Sequence, residues 1–202
     1  MTIGRLFETL RRWRQSRRDD GEQFTPSGAD LRQLTEHLFY ELQMTFDLAD
    51  VLSSAFASPP ASPTDLLVRN ALLEAFTIHV RQLIDFFWSE RSPKWKQTQQ
   101  GAYAADYFKA GEWKRLRPRR PQMLNRPLSG KVGWGVAHLT YPRGRVTAQE
   151  KEWEPLRMCV ALMPAARCFV DNVDPAKFDA QWFVHIEPCL DRFAAKYGAV
   201  TP

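Results

Sequence analysis

The chain has 202 residues, 44% hydrophobic and 12% aromatic, with a formal net charge of +5 at pH 7. That is one domain, or one domain with a tail, and the apolar content excludes a disordered chain. The uncharged apolar runs fall short of the ~20 residues that cross a bilayer, and the N-terminus lacks an apolar leader, so a non-secreted, cytoplasmic protein is expected.

Charge is segregated along the chain. Residues 1–18 hold six Arg against one Glu, and residues 91–145 hold thirteen Lys and Arg against two acids. Residues 19–90 reverse this, with twelve acids against three Arg. Such separation turns basic surfaces toward an anionic partner or toward the protein's own acidic helices. Cys159, Cys168 and Cys189 form no CxxC pair and read as reduced core thiols.

In residues 3–18, Ile3, Leu6, Phe7, Leu10 and Trp13 form a helical stripe surrounded by Arg5, Arg11, Arg12, Arg14, Arg17 and Arg18. A basic amphipathic helix can contact an anionic surface, membrane or nucleic acid, dock on the body of its own domain, or pair with another protein. Residues 1–28 are therefore divided, as helix and linker, from a single helical-bundle domain at 29–202. The next helix is expected from Asp30, read as its N-cap, to about Phe56, on the stripe Leu31, Leu34, Leu38, Leu42, Phe46, Ala49 and Leu52. His37 falls at its surface or boundary. Ser58-Pro59-Pro60-Ala61 ends it, and Ser62-Pro63-Thr64-Asp65 opens a helix running to about Glu90.

Residues 91–128 are punctuated by Gly and Pro, with one short helix expected at about 102–110 and Arg115–Arg120 too basic for a core element. Ser129 can start a helix over 129–141, against the cost of Gly133 and Gly135. Thr147 and Glu150 form a capping box for a helix to about Val170, bent by Pro155 or Pro164. Asp174-Pro175 is read as the start of the last helix, with Phe178, Trp182, Phe183, Ile186, Leu190 and Phe193 as its apolar face, Pro188 as a kink and Gly198 as its C-cap. The fold expected is all-α, a bundle of four to five long helices with a basic, irregular insertion.

The 71–88 helix, apolar around most of its circumference, carries Glu74, Arg81 and Asp85 on one face at i, i+7 and i+11. His79 falls in line with Leu72, Phe76, Leu83 and Phe86 and reads as a hydrogen-bonded core histidine. Lys131 and His138, seven apart, would face the same way about 10 Å apart along a helix. A histidine beside cations is what metal-independent RNA cleavage requires: the imidazole moves protons and the cation stabilises phosphorane charge. Trp88, Trp95, Tyr103, Tyr107, Phe108, Trp113 and Trp134 are interleaved with the cations of 91–145, the composition of a surface that stacks bases and tracks phosphates. Its candidate contacts are Arg81, Arg115, Arg117, Arg119, Arg120 and Arg143. No nucleotide-binding loop, metal-ligand cluster, serine–histidine triad or cofactor fingerprint is present, so neither metal nor cofactor is expected.

The blocks EAFTIHVRQLIDFFW (74–88) and VAHLTYPR (136–143), with AADYF (104–108) between them, resemble a family of uncharacterised bacterial all-helical proteins. Its organisation is similar to that of the HEPN (higher eukaryotes and prokaryotes nucleotide-binding) superfamily. The resemblance implies a helical bundle, often dimeric, and metal-independent ribonuclease activity. His138 matches the signature histidine, Lys131 stands in the place of the signature arginine with six residues between, and Glu74 or Asp85 would be the earlier acid. The competing expectation is a non-enzymatic helical interaction or structural protein that self-associates, with His138 and the Glu74–Arg81–Asp85 ridge serving packing and polar networks.

Overall fold

Two long helices, α1 (Gly28–Phe56) and α2 (Pro63–Trp88), run antiparallel across the short connection 57–62. Residues 25–90, 101–124 and 153–198 are described by a computed structural model, all-α with no strand among them. The cap of α1 is Ser27, three residues earlier than the sequence suggests. Ser27 Oγ accepts the Asp30 N–H at 3.2 Å, while the Asp30 carboxylate accepts the Ser27 N–H at 2.8 Å. Asp30 is thus the N3 residue of a capping box, and a cap read three residues too late is corrected. At α2 the expected start holds: Pro63 occupies the first turn and Ser62 Oγ accepts the Asp65 N–H at 3.1 Å. Arg69 fastens the connection, pairing with Asp65 at 2.7 Å and donating to the carbonyls of Ala55 and Ser58.

The core buries Leu38, Leu42, Phe46 and Leu52 from α1 and Phe76, Val80, Leu83 and Phe87 from α2. Burying each such side chain contributes about 1.5–3 kcal/mol before entropy is subtracted.

Residues 101–124 hold a 3-10 turn (Ala104–Tyr107), the five-residue helix α3 (Glu112–Leu116) and a second 3-10 turn (Gln122–Leu124). The single helix expected near 102–110 is replaced by two shorter pieces. Gly111 lies between them at φ 74°, a left-handed conformation that stops one piece and starts the next. Part of the basic stretch, Arg115, belongs to α3 after all.

Helix α4 (Pro155–Asn172) begins at Pro155, which sits in the first turn and does not bend the helix, while Pro164 lies inside it. The last helix, α5 (Ala180–Tyr197), opens later than expected, and Asp174-Pro175 starts only a 3-10 turn, Pro175–Lys177. The physical reason is Phe178. Its ring is buried 5.0 Å from Tyr107 and 5.9 Å from Phe169, so the chain turns inward before α5 can begin. Asp179 then caps α5 through the Gln181 N–H at 2.8 Å, and its own N–H donates to Thr35 Oγ1 at 2.9 Å. Pro188 lies inside α5, and Gly198 ends it in a right-handed conformation.

Phe169 is the hub of the aromatic core, within 5.2–6.0 Å of the rings of Phe86, Phe87, Tyr107, Phe108, Trp113 and Phe178. On the outside, Asp50 of α1 accepts Lys196 at 2.7 Å and the Tyr197 hydroxyl, which ties α5 to α1. All three cysteines are unbridged, Cys159 and Cys189 buried and Cys168 half-buried, and burial pushes each thiol up. The helices expected at 3–18 and 129–141, and the Thr147 capping box, lie outside the described residues.

Candidate nucleic-acid interface

Helix α2 stops at Trp88 with its last carbonyls in need of donors, and its own last turn offers no basic residue. Residues 109–120 supply them. Trp113 Nε1 donates to the Phe87 carbonyl at 2.8 Å, and Arg117 Nη1 donates to the Trp88 carbonyl at 2.8 Å. Arg117 Nη2 also pairs with Glu90 at 3.0 Å, and Trp88 Nε1 donates back to the Pro118 carbonyl at 3.1 Å. A guanidinium at a helix C-terminus is favourable both as a donor and as a charge against the macrodipole. The segment is therefore a strap held by hydrogen bonds in both directions, with Trp113 stacked 5.2 Å from Phe108 beneath it.

The strap separates its own cations. Arg117 has a side chain only 16% exposed and faces the helix end. Lys109, Lys114, Arg115 and Arg119 are exposed, with Lys114 lying 3.5 Å from Glu90. Arg120 is half-buried, and its Nε and Nη2, themselves shut off from solvent, have no hydrogen-bond partner among the described residues. Burial holds its guanidinium below the usual arginine value, against the opposing pull of Asp85's charge. Lys109 and Lys114 were not singled out by composition. The helical spacing of 112–116, which turns Trp113 in and Lys114 out, is the signal that places Lys114.

The Glu74–Arg81–Asp85 ridge runs along an exposed face of α2. Arg81 Nε lies 3.7 Å from Asp85, both side chains about half exposed, a pairing worth a few tenths of a kcal/mol. Glu74 has no ion-pair partner among the described residues and lies eleven residues, about 16 Å, up the helix from Asp85. The structure thus brings Asp85 to the strap beside Arg120 and leaves Glu74 well away from it. His79 is the hydrogen-bonded core histidine expected: Nδ1 pairs with Glu41 of α1 at 2.7 Å, 12% of the side chain is exposed, and Tyr40 meets its ring edge-on at 5.5 Å.

His138, Lys131 and Arg143 lie outside the described residues, as do Trp95 and Trp134. Among the described residues no three His, Cys, Asp or Glu side chains cluster as metal ligands would, and no helix is long and apolar enough to cross a membrane. Comparison with protein-family models, with curated proteins and with solved structures finds no match.

Proposed function

We propose that this chain is an RNA-binding helical-bundle protein, HEPN-like in organisation, whose strap carries the phosphate contacts. What supports the reading most is the division of labour on the strap. Arg117 and Trp113 hold the backbone against the end of α2, while Lys114, Arg115 and Arg119 project into solvent from that fixed base. Cations presented on an immobile backbone contact a phosphate chain with little ordering cost.

In this reading His138 and Lys131 supply cleavage, the imidazole as acid or base and the ammonium as phosphate clamp. The test has two parts. Binding of single-stranded RNA is followed by anisotropy across a salt series, and the Lys114→Ala/Arg115→Ala/Arg119→Ala triple variant should lower the slope of log K against log salt by about 2. An unchanged slope removes the strap from the interface. RNA degradation without metal should be lost in His138→Ala, and persistence of cleavage in that variant removes His138 from catalysis.

A second reading, a non-enzymatic helical interaction protein, is favoured by the ridge itself. Arg81 and Asp85 answer each other within one helix and face solvent. Undetectable RNA binding at low salt selects it.

A further inference from the structure

Among the described residues, no helix covers one side of the α1–α2 hairpin. On α1, Glu36, Tyr40, Asp47 and Val51 share a face at i, i+4, i+11 and i+15, and all four are exposed. On α2, Leu67, Ala71, Glu74 and Ile78 do the same, with Leu67 68% and Ile78 53% exposed. The contact of Tyr40 with His79 and the Glu41–His79 hydrogen bond bring these two faces to one seam. Val51 and Val68, each about half exposed, continue it toward the turn. Isolated exposed apolar side chains are ordinary, but a row of five or six along adjacent helices marks a contact surface. The row is mixed with acids, and Glu36 and Glu74 have no ion-pair partner among the described residues.

We infer that the stripe Ile3, Leu6, Phe7, Leu10 and Trp13 of the same chain docks on this seam. Its chemistry is the complement. The stripe repeats at helical spacing, and Arg11, Arg14 and Arg18 form a second row beside it at i, i+3 and i+7. Residues 1–18 carry six Arg against one Glu, whereas α1 and α2 carry eight acids against three Arg. Reach permits it. The ten residues from Arg18 to Gly28 span up to ~33 Å when extended. Tyr40 lies only about 18 Å along α1 from Gly28, so the stripe can fold back beside α1. The apolar residues then cover Tyr40, Val51, Leu67 and Ile78, and the arginine row meets Glu74 and Glu36, whereas Asp47 already faces Arg192 of α5 at 3.9 Å.

Hydrogen exchange on the full chain tests this. Amides of residues 3–18 should exchange at least about tenfold more slowly than an unstructured segment, and the slowing should not depend on protein concentration. Leu67→Arg/Ile78→Arg, on exposed positions, should release that protection while the amides of α4 and α5 keep theirs. Leu10→Arg should do the same without touching the body. Unprotected residues 3–18 in the wild type overturn the inference, as does protection that survives both variants. Protection that rises with concentration, alongside a dimer in sedimentation, assigns the seam to a second copy. Protection that appears only with phosphatidylserine vesicles assigns the stripe to a membrane surface, and either result overturns docking within the chain.

Discussion

The α1–α2 hairpin and the strap, taken together with the residues 101–108 and 121–124 that flank it, are built by opposite means. The hairpin is held by repetition, with apolar side chains recurring every three or four residues, and each of its helices starts at a serine cap from the immediate neighbourhood. The strap has no repeat. Its order comes from a few side chains, Tyr107, Phe108 and Trp113, set around Phe169 of α4, and from donors aimed at the end of α2. One region is stable because many small terms agree. The other is ordered because a few partners distant in sequence meet.

That contrast predicts concentrated sensitivity in the strap. Trp113 is fully buried and donates to Phe87, so Trp113→Ala should cost about 3–5 kcal/mol in denaturant unfolding. A loss under about 1 kcal/mol, the range of surface positions, would show that the strap is peripheral to the fold. Arg117→Ala should come next, at about 1.5–3 kcal/mol, because charge-assisted bonds to the α2 carbonyls are lost. Arg115→Ala, two residues away and exposed, should leave unfolding within about 0.5 kcal/mol. Equal losses for the two arginines would erase the division of labour on the strap.

The smallest effect belongs to the hairpin's outer latch. Lys196, then the Tyr197 hydroxyl, hold Asp50 below the usual carboxylate range. A carboxyl depressed in the folded state contributes stability above its unfolded value of about 3.9, and loses that contribution as pH falls through the lower folded value. Solvent screens so exposed a group, so Asp50→Asn should only flatten the acid limb of the stability curve below about pH 4. An acid limb as steep in Asp50→Asn as in the wild type would show that the latch is not linked to folding.

How far the chain could be read in advance follows the same division. Helices α1 and α2 were legible because their signals are local: the stripe, Pro63 and Asp65 all lie within the element they define. The start of α5 was not, because Phe178 leaves the helical path to reach Tyr107, seventy-one positions earlier in the chain. The candidate site splits similarly. Composition marks Arg115, Arg117, Arg119 and Arg120 as one basic run, yet Arg117 differs from its neighbours only because Trp88, 29 positions away, presents it a carbonyl. Glu41 as the partner of His79, 38 positions off, had no sequence signal at all. Glu74 was grouped with the site by spacing on α2, which fixes a face but not a distance from residues on other elements.

Among the described helices α1 is made first and covered last. Its Leu31 carbonyl accepts Tyr107, Thr35 receives the Asp179 N–H from 144 positions downstream, and Asp50 waits for Lys196, 146 positions downstream. During synthesis the ribosome must therefore release the chain through Tyr197 before the α5 side of α1 is closed. Until then Phe46, which finally stacks 4.5 Å from Phe193, faces solvent. A nascent chain halted after α4 keeps that flank open, so chaperone binding to α1 should persist until α5 emerges.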